Sequence, residues 1–586
     1  MENDHMPSNE VIEARSVGTR ELHWIEKNIP CQWACPVLTD IPAYIAAVSE
    51  RNYDLSYRIN RHSNILPGVL GRICSRPCED SCRHGESDLG TPVAICHIKR
   101  AGADNRREQL AFEPHLAPTG KKVAIVGSGP SGLAAAHDLA LLGHSVTVYE
   151  AEDIAGGMLS LGIPDFRLPR AVLDEEIGYI TSLGVEIALN TRIGRDVELE
   201  ELLSTNDATI IATGNMLANE LKIPGAELEG VLYGLPFLME ANRGNRVEVA
   251  EKVVVIGGGY TALDCARTSL RFGSKETGLH YRRTEKYLAG TSEEIHELKL
   301  ERVRLHFLSQ PVEIHGSGGK VSAVTFIRTT PFSGRKSRTS GFRAIEGSEF
   351  TVEMDTLIVA IGQHATFPFI GDDAGVDKDE NGVPVLKGDS FSTTRDGLFL
   401  AGDCINGPGD VINAIAHGRT VAVSVDEYLT GKRRRKRTLL TVEARETGRI
   451  REYDFIERQM MPTVGKRSRI NYSTEVEKGY TVKKTLTEAK RCYLCHFKYE
   501  IDVNRCIYCM ACIEVAPRDC IKQVREFKVS DEGIIEGITE AENWDEVRAI
   551  YILGDRCIRC GNCERVCPTQ CIGFTKVSLS ESFEDR

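Results

Sequence analysis

Apolar and polar positions in the middle of this chain follow a strand–helix–strand order. Residues 123–126 form a short apolar run, which predicts a buried strand. Apolar residues then recur at the spacing of one helix face, at Leu133, Ala136, Leu139 and Leu142. A second short strand follows at 145–149, and the same order begins again with a predicted strand at 252–256, which is apolar from Val253 onward. This repetition predicts an α/β fold with parallel sheets.

Glycines stand where the first strand passes into its helix. Gly127, Gly129 and Gly132 form a G-x-G-x-x-G pattern, and Glu150 follows the second strand. The first glycine permits the tight turn, the second lets a pyrophosphate approach the backbone, and the third lets helix and strand pack closely. An acid at the end of the second strand can bond a ribose hydroxyl. The stretch therefore predicts a dinucleotide site.

A second glycine fingerprint follows the second apolar run. The triple glycine 257–259 and Ala262 give G-x-G-x-x-A, and this fingerprint predicts a second Rossmann-like domain. Two such sites indicate a flavin that exchanges electrons with a nicotinamide; the alternative is a duplication with one inactive site. Arg282 and Arg283 end the next strand in place of an acid and favour the 2′-phosphate of NADP slightly over NAD. The alternative interpretation of the two arginines is a solvated charge pair.

Composition narrows the class of protein. The 586 residues are too many for one core and predict three to five domains, and 41% hydrophobic with 27% charged residues is typical of a globular protein. The sequence has no apolar run of 18 residues, and its first ten residues are too polar for a secretory signal, so we expect no membrane span and a cytoplasmic location. A net charge of −12 argues against nucleic acid as a partner.

Nineteen cysteines are the strongest compositional signal. Without an export signal they indicate metal sites rather than disulfides, and a reducing, oxygen-poor setting. Six lie in the N-terminal region, at Cys31, Cys35, Cys74, Cys78, Cys82 and Cys96; the first five stand in C-x3-C arrangements and Cys96 stands alone. The repeated spacing favours iron–sulfur clusters, and a zinc ribbon is the alternative. Cys265 and Cys404 stand alone and are predicted to be packed thiols rather than a redox pair.

The last hundred residues carry a two-cluster ferredoxin pattern. The first motif is C-x2-C-x2-C and the second is C-x2-C-x2-C-x3-C-P, in which each fourth cysteine serves the other cluster. The first predicted [4Fe–4S] site takes Cys506, Cys509, Cys512 and Cys567. The second takes Cys557, Cys560, Cys563 and Cys520, because the usual fourth position of the first motif is Ala516. Cys571 or a ligand from outside is the alternative to Cys520.

Residues 20–430 resemble the small subunit of glutamate synthase and its relatives. Those relatives include the flavin half of dihydropyrimidine dehydrogenase and bifurcating ferredoxin:NADP oxidoreductases. The resemblance rests on CPVLTDIPAYI, GRICSRPCEDSC, VAIVGSGPSGLAAAHDLA, GGMLSLGIPDFRLPR, VVVIGGGYTALDCARTSLRFG, YRRTE, AIGQ and AGDCINGPGDVINAIAHGR. The chain departs from the family at Tyr260, where Asn is usual. With the patterns above, the resemblance predicts FAD and NAD(P) contacts from Gly127, Gly129, Pro130, Ser131, Gly132, Glu150, Gly157, Met158, Arg167, Thr213, Gly214, Gly257, Gly259, Tyr260, Thr261, Arg282, Arg283, Gly362, Gly402, Asp403, Asn413 and Ala414.

The resemblance also implies two N-terminal cubane clusters. One maps to Cys35, Cys74, Cys78 and Cys96. The other retains only Cys31 and Cys82, because the leading C-x2-C of the family is absent here. We expect Cys492 and Cys495 to complete it by folding back, which gives four clusters, with three as the minimum, and would fasten the ferredoxin region to the flavin region. The alternatives for this C-x2-C are a spare pair or a small zinc site.

These patterns predict six segments. They are an N-terminal helical iron–sulfur domain at 1–117, an FAD-binding domain at 118–222 and 366–431, an NAD(P)-binding domain at 223–365, a linker at 432–490 and a ferredoxin-like α+β domain at 491–586. The basic run GKRRRKR at 431–437 is predicted to be a solvated linker, or alternatively a docking patch for an acidic partner.

The predicted function is electron transfer between NAD(P)(H), FAD and a chain of clusters. No acid, base or nucleophile constellation for an organic substrate stands out, so we expect a partner oxidoreductase in a hetero-oligomer to hold that chemistry. By analogy with the family that the chain resembles, candidate partners are a 2-oxoacid:acceptor oxidoreductase, an aldehyde or formate oxidoreductase, or a glutaminase-bearing synthase. Alternative functions are a stand-alone ferredoxin:NAD(P) oxidoreductase, a glutamate synthase-like small subunit, and a scaffold with structural clusters.

Overall fold

The computed structural model describes residues 11–16, 19–86, 90–108, 115–332, 341–444, 446–530 and 535–584. The first ten residues, on which the prediction about a secretory signal rests, lie outside these ranges. The chain divides into two compact units. The cysteine-rich unit comprises 1–109, 433–462 and 479–586, and the Rossmann unit comprises 110–432 and 463–478.

The first sheet of the Rossmann unit contains the first glycine fingerprint. Five of its seven strands are parallel, and the strand before the glycines lies among them with Val123, Ala124 and Ile125 fully buried. A central parallel strand covered on both faces is apolar throughout, which is why the sequence shows a continuous run there. In sheet order the strands are Leu386–Lys387, Ser392–Thr393, Leu398–Leu400, Ala208–Ile211, Lys122–Val126, Ser145–Tyr149 and Glu186–Ala188.

The second sheet of the Rossmann unit has five parallel strands and contains the second fingerprint. Its order is Arg304–Phe307, Glu276–Tyr281, Lys252–Ile256, Thr356–Val359 and Val231–Tyr233. A four-stranded antiparallel sheet and a two-stranded ribbon complete the strands. They are Ser309–Ser317, Lys320–Pro331, Phe342–Ala344 and Phe350–Glu353, and then Leu217–Ala218 with Gln363–His364.

Helices cover both parallel sheets, as the α/β prediction requires. The helix that follows each fingerprint is the most buried of its domain, because the glycines let it pack close to the strand before it. The helices are Pro130–Leu141, Met158–Leu161, Arg170–Thr181, Leu199–Thr205, Gly234–Asn242, Tyr260–Arg271, Ser292–Leu300, Asp403–Asn406, Val411–Thr430 and Lys466–Arg469, with 3-10 turns at Glu285–Tyr287 and Gly388–Ser390.

The cysteine-rich unit brings both ends of the chain together. Its N-terminal part is helical, as predicted, and its C-terminal part has a short helix after each ferredoxin motif. The helices are Thr19–Asn28, Pro30–Trp33, Ile41–Ser49, Tyr53–Ser63, Pro67–Ile73, Pro77–Asp80, Ile95–Asp104, Val482–Ala489, Ala511–Val515 and Asn562–Val566, with 3-10 turns at Arg83–Gly85, Arg451–Phe455, Pro517–Asp519 and Trp544–Glu546.

Two antiparallel sheets complete the cysteine-rich unit. One has the order Val11–Ser16, Arg435–Glu443, Ile572–Phe583 and Phe497–Ile501, and so pairs strands from both chain ends. The other has the order Ile535–Glu540, Ile521–Val529 and Ala549–Ile552. The N-terminal and ferredoxin segments, which the sequence divides into separate domains, therefore belong to one compact unit.

The structure corrects the linker interpretation of 432–490. Its basic run enters the strand Arg435–Glu443, which is paired on both sides. Glu581 is nearly buried and accepts hydrogen bonds from Arg435 at 2.6 Å and Arg437 at 2.9 Å, and Lys436 reaches Glu584 at 2.6 Å. The carboxylates neutralise charges that, read from sequence alone, indicate a solvated segment. None of the described helices has the length and apolar character needed to cross a membrane.

Candidate cofactor sites

The first fingerprint forms a turn with free space at one glycine. Gly127 has φ +105°, and a Cβ there would stand 2.5 Å from the carbonyl oxygen of Ala212. A Cβ at Gly132 would stand 2.0 Å from the carbonyl oxygen of Gly127. Gly129, at the start of the helix Pro130–Leu141, has no atom within 4 Å of its Cβ position. Gly127 and Gly132 thus allow close packing, while Gly129, the middle glycine of the three, leaves room for a pyrophosphate at the helix N-terminus.

Glu150 is buried beside this turn. Its carboxylate accepts hydrogen bonds from the Ser128 backbone N–H at 2.9 Å, from the Ser128 hydroxyl, and from the Glu152 N–H at 3.0 Å. A carboxylate has about four acceptor positions, so these three donors leave capacity for a ribose hydroxyl. The arrangement holds the acid where the fingerprint predicts it.

Three buried polar atoms around the turn have no hydrogen-bond partner among the described residues. They are Ser131 Oγ in the first turn of the helix, Thr213 Oγ1 after the strand Ala208–Ile211, and Asn215 Nδ2. Buried polar groups are normally satisfied, so these atoms fit a bound ligand that supplies the missing partners. Ser131 and Thr213 belong to the predicted set, whereas Asn215 was missed, although it follows the buried strand by only four residues.

Asp403 lies beside Ser131 at the end of another parallel strand. A Cβ on the neighbouring Gly402 would stand 2.9 Å from the Ser131 Cβ. Burial raises the pKa of Asp403, and its Oδ2 accepts a hydrogen bond from the Gly409 N–H at 3.0 Å.

The helix Val411–Thr430 packs on the fingerprint helix. A Cβ at Gly418 would stand 2.1 Å from the carbonyl oxygen of Ser131, so only glycine permits this approach. Asp410 caps the N-terminus by accepting from the Asn413 N–H at 3.0 Å, and Ala414 stands next in the same turn. The chain thereby places a second helix N-terminus close to the fingerprint, where its dipole favours negative charge.

The two ends of the segment 156–167 make different contacts. Gly157, with φ +54°, lies against Gly129, since its Cβ would stand 2.8 Å from the Gly129 Cα, and Met158 starts the helix that follows. Arg167 Nη1 instead donates to both carboxylate oxygens of Asp264, at 2.8 and 3.0 Å, and Nη2 contacts Glu294. Although burial opposes it, Asp264 and Glu294 raise the pKa of Arg167. Its observed contacts are these carboxylates, so a cofactor contact stays a prediction.

The second fingerprint repeats the first with one addition. A Cβ at Gly257 would stand 2.2 Å from the carbonyl oxygen of Ala360, and the Cβ position of Gly259 is open. The ring of Tyr281 lies over Gly258, whose Cβ would stand 2.3 Å from it, and the Tyr281 hydroxyl donates to the Tyr287 carbonyl at 2.9 Å. Tyr281 was missed in the sequence because nothing local marks its packing on the glycine turn.

The predicted site residues around the second glycine turn make few side-chain contacts with the rest of the described protein. Tyr260 begins the helix Tyr260–Arg271, and its ring lies 5.9 Å from the Arg167 guanidinium. The Gln363 amide donates to the Thr261 hydroxyl at 3.3 Å, beside Gly362 with φ +111°. These contacts leave the open side of the turn at Gly259 unobstructed.

Arg282 and Arg283 follow the strand Glu276–Tyr281 on this open side. Arg282 is exposed, and the Arg283 guanidinium lies 6.0 Å from the Tyr287 ring centre. Within the described residues neither forms an ion pair. Arg267 and Arg271, by contrast, both pair with Glu301 at 2.8 Å. The pair at 282–283 thus keeps its charge available to an anion.

Four buried N-terminal thiols surround a buried lysine. Cys35, Cys74, Cys78 and Cys96 lie close enough to Lys99 that they raise its pKa against the opposing effect of burial. The Cys96 N–H donates to the Glu79 carboxylate at 3.0 Å. The structure brings together the four cysteines that the resemblance assigns to one cubane, and Lys99 is a counter-charge that the sequence analysis missed.

The ferredoxin cysteines fall into two groups. Cys520, Cys557, Cys560 and Cys563 line one cavity together with Ala516. Cys506, Cys509 and Cys512 neighbour one another, and the Sγ of Cys567 lies 3.4 Å from that of Cys571, which also neighbours Cys506.

Four other cysteines line one cavity together, and two further cysteines are packed singly elsewhere. Cys31, Cys82, Cys492 and Cys495 line a single cavity in the cysteine-rich unit. Cys265 and Cys404 are buried apart, and their thiols donate to the carbonyls of Gly234 at 3.5 Å and Ala401 at 3.3 Å. Geometry therefore gathers the sixteen predicted ligands into four groups and leaves Cys265 and Cys404 in packed surroundings.

Comparisons with known proteins agree with this division. A family model described as pyridine nucleotide-disulphide oxidoreductase matches residues 121–418. A model for dihydropyrimidine dehydrogenase domain II with a 4Fe-4S cluster matches 20–111, and a 4Fe-4S dicluster domain matches 505–571.

Similarity to individual proteins covers a larger share of the chain than any one of these family models. The chain is 36% identical to the NADP(+)-dependent formate dehydrogenase subunit beta of Moorella thermoacetica, covering 80% of this chain and 70% of that one. It is 35% identical to the NADPH-Fe(3+) oxidoreductase subunit beta of Geobacter sulfurreducens, covering 80% and 75%. It is 34% identical to the glutamate synthase [NADPH] small chain of Escherichia coli, covering 68% and 88%.

The fold and sites define a flavin- and nicotinamide-dependent oxidoreductase with iron–sulfur domains. The chain belongs to the pyridine nucleotide-disulphide oxidoreductase family, in its glutamate synthase small-subunit-like group, and carries a ferredoxin domain in addition. Its cofactors are FAD, NAD(P) and [4Fe–4S] clusters, and its chemistry is electron transfer among them. The predictions of fold class, family and cofactor classes are confirmed.

Proposed function

We propose that this chain is the NADP(H)-linked electron-transfer subunit of a larger oxidoreductase. The observation that carries the proposal is the pair Arg282 and Arg283, which follows the second strand of the nicotinamide sheet without an ion-pair partner in the described residues. Guanidinium groups bind phosphate bidentately, so this pair suits the 2′-phosphate that distinguishes NADP from NAD. The NADP-dependent names of the relatives support the same choice.

The residues of the first sheet bind and orient the flavin. FAD supplies the exchange between the two-electron chemistry of NAD(P)H and the one-electron chemistry of clusters. Gly129 leaves space for the pyrophosphate, and Glu150 keeps acceptor capacity for ribose hydroxyls. Ser131 and Thr213 offer the buried hydroxyls that lack partners.

Single electrons leave through the first ferredoxin site. Its thiols are the more exposed of the two ferredoxin groups: Cys509 is exposed, and Cys506 and Cys512 are partly exposed. The adjacent Ile507 is 61% exposed. An exposed cluster edge with an apolar neighbour suits a transient contact with an electron-transfer partner.

The partner holds the substrate chemistry. Relatives named as formate dehydrogenase and Fe(3+) oxidoreductase subunits align over 80% of this chain, whereas glutamate synthase small chains such as that of Escherichia coli align over 68%. The longer similarity favours a partner that exchanges electrons through clusters, such as a formate or 2-oxoacid oxidoreductase, over a glutamate synthase large chain.

The test follows flavin reduction without oxygen. NADPH should bleach the flavin absorbance of the purified protein faster than NADH. An Arg282→Ala, Arg283→Ala double variant should weaken NADPH binding about 10- to 100-fold, since a charge-assisted hydrogen bond contributes about 1.5–3 kcal/mol. Arg304→Ala is the matched control, because Arg304 begins the neighbouring strand at its opposite end and already pairs with Glu276. Equal rates with both nucleotides, or a control with the same defect, would contradict the NADP assignment.

Co-purification tests the subunit role. Affinity isolation from anaerobic extract of the source cells should bring down a second redox protein in fixed stoichiometry. A protein that purifies alone and reduces free ferredoxin with NADPH would instead be the stand-alone ferredoxin:NAD(P) oxidoreductase.

A further inference from the structure

One cavity of the cysteine-rich unit is lined by four thiols from opposite ends of the chain. Cys31 and Cys82 come from the N-terminal helical segment, and Cys492 and Cys495 precede the ferredoxin motifs. Burial raises the pKa of Cys31, and the nearby Cys495, Cys82 and Cys492 raise it further. Neither iron–sulfur family match includes Cys492 or Cys495, because the two matches span 20–111 and 505–571.

The loop 492–495 has the backbone of a cluster-binding loop. In the first C-x2-C pair of each ferredoxin motif, the residue before the second cysteine has a left-handed conformation, with φ +55° at Tyr508 and at Arg559. Leu494 occupies the same position with φ +50°. Its N–H donates to the Cys492 Sγ at 3.4 Å, just as the Arg559 N–H donates to the Cys557 Sγ at 3.4 Å. Leucine rarely adopts this conformation, so the surrounding contacts must hold the loop in it.

Buried cations face the same loop. The Arg559 guanidinium donates to the Cys495 Sγ at 3.8 Å and also to the carbonyl of Cys557. Arg449 donates to the carbonyls of Cys492 at 3.0 Å and Ile558 at 2.7 Å. Both guanidinium groups are almost fully buried. Arg449 pairs with the Asp454 carboxylate at 3.1 Å, whereas Arg559 has no carboxylate partner among the described residues, so a thiolate-bound cluster would supply the counter-charge that a buried cation needs.

A separate network fixes the N-terminal half of the cavity. Arg491, next to Cys492, is 1% exposed and donates to the carbonyls of Thr91 at 2.6 Å and Pro92 at 3.0 Å. The fully buried Glu488 accepts from Arg491 at 2.6 Å and from the Ala94 N–H at 2.8 Å. These bonds hold the chain after Cys82 against the chain before Cys492, so the four thiols are positioned by protein contacts.

We propose that Cys31, Cys82, Cys492 and Cys495 hold a [4Fe–4S] cluster split between the two ends of the chain. The cluster is the immediate neighbour of the second ferredoxin site, because Arg559 touches both Cys495 and the Cys557 segment. It therefore passes electrons to or from that site. This electron-carrying role rests on the proposed function, whereas the iron content of the site does not.

Metal analysis of the anaerobically purified protein tests the site. Wild-type protein should contain about sixteen iron atoms per chain, four in each of four clusters, and no zinc. The Cys492→Ala, Cys495→Ala variant should lose about four iron atoms and one EPR signal after reduction. A Cys265→Ala, Cys404→Ala variant is the control, because it also removes two buried thiols, and it should retain all iron.

A second pair of substitutions separates ligand loss from misfolding. Cys31→Ala, Cys82→Ala should lose the same four iron atoms and the same signal, and the quadruple variant should lose no more. Flavin bleaching by NADPH should persist in each variant, so a failure of the NADP proposal remains distinguishable. Full iron content in the Cys492, Cys495 variant, stoichiometric zinc in the wild type, or additive iron losses in the quadruple variant would overturn the proposal.

An Arg559→Leu variant tests the neighbour relation. Iron content should stay at about sixteen atoms, while the EPR signals of both the split cluster and the second ferredoxin cluster shift. A change in only one of the two signals would show that Arg559 does not connect the sites.

Discussion

The two ferredoxin motifs share a local fold but differ in where their fourth thiol stands. Each motif ends in a short helix, Ala511–Val515 or Asn562–Val566, followed by a residue–proline pair. In the first motif that residue is Ala516, and the next cysteine is Cys520. In the second motif the same two positions are Cys567 and Cys571. One motif thus has a single thiol where the other has two.

The structure shows what each thiol contacts. Cys520 is buried in the cavity that holds Cys557, Cys560 and Cys563, and Ala516 lines the same cavity. Cys571 is also buried, and its Sγ lies 3.4 Å from that of Cys567. A thiol four residues beyond the usual position therefore lies in one cavity with the three cysteines of the second predicted site. The comparison predicts that either position can supply a ligand, and that the second motif holds one ligand and one spare thiol.

The largest expected effect follows removal of both thiols of the second motif. A Cys567→Ala, Cys571→Ala variant leaves the first site with three cysteines and should lose between one and four of about sixteen iron atoms. Iron analysis and EPR of the reduced protein measure the loss. The Cys265→Ala, Cys404→Ala variant is the control. Retention of all iron would show that a ligand outside this pair completes the cluster.

Cys520→Ala should have a nearly equal effect at the second site. Only three thiols would remain in that cavity, and a three-cysteine site loses iron or fails to assemble. We expect loss of at least one iron atom and of the second ferredoxin EPR signal. An unchanged spectrum would exclude Cys520 as a ligand.

Restoring the usual position should reverse that loss. In a Cys520→Ala, Ala516→Cys variant the new thiol faces the same cavity, so iron content should return to about sixteen atoms. Ala516→Ser in the Cys520→Ala background is the matched control and should not recover. Failure of the cysteine variant with a folded protein would mean that the two positions are not interchangeable.

The single Cys567→Ala variant should be milder than either loss. Cys571 lies close enough to replace the missing ligand, so iron content should be kept while the EPR line shape of the first cluster changes. A loss of iron equal to that of the double variant would show that Cys571 does not replace Cys567 as a ligand.

Cys571→Ala alone should have the smallest effect. Cys567 remains as the ligand in the usual position, so iron content and both ferredoxin EPR signals should match the wild type. A marked loss here would make Cys571, not Cys567, the ligand of the first cluster, and the two motifs would then be equivalent.

The sequence by itself determined the features that depend on short-range spacing. Glycine spacing after apolar runs predicted both dinucleotide turns, because a turn and its phosphate cradle are built within about thirty residues. Cysteine spacing predicted the ferredoxin sites for the same reason. The positions of Ser131 and Thr213 around the first turn also followed from their motifs, and the structure places both there.

Tertiary structure alone decided the features that depend on partners far along the chain. The end of the basic run, residues 435–437, belongs to a paired strand, in which Glu581, more than 140 residues away, neutralises Arg435 and Arg437. Arg167 pairs with the carboxylates of Asp264 and Glu294, which lie about 100 or more residues further along the chain. Tyr281 covers Gly258 only because parallel strands bring them together.

The cavity that joins Cys31 to Cys495 belongs to this second class. The sequence suggested its four thiols only through a count and a resemblance. Their approach depends on hydrogen bonds such as those from Arg491 to the Thr91 and Pro92 carbonyls, across 400 and 399 residues. Local sequence determines local conformation. Which distant residues bury a given charge or thiol is determined only when the whole chain has folded.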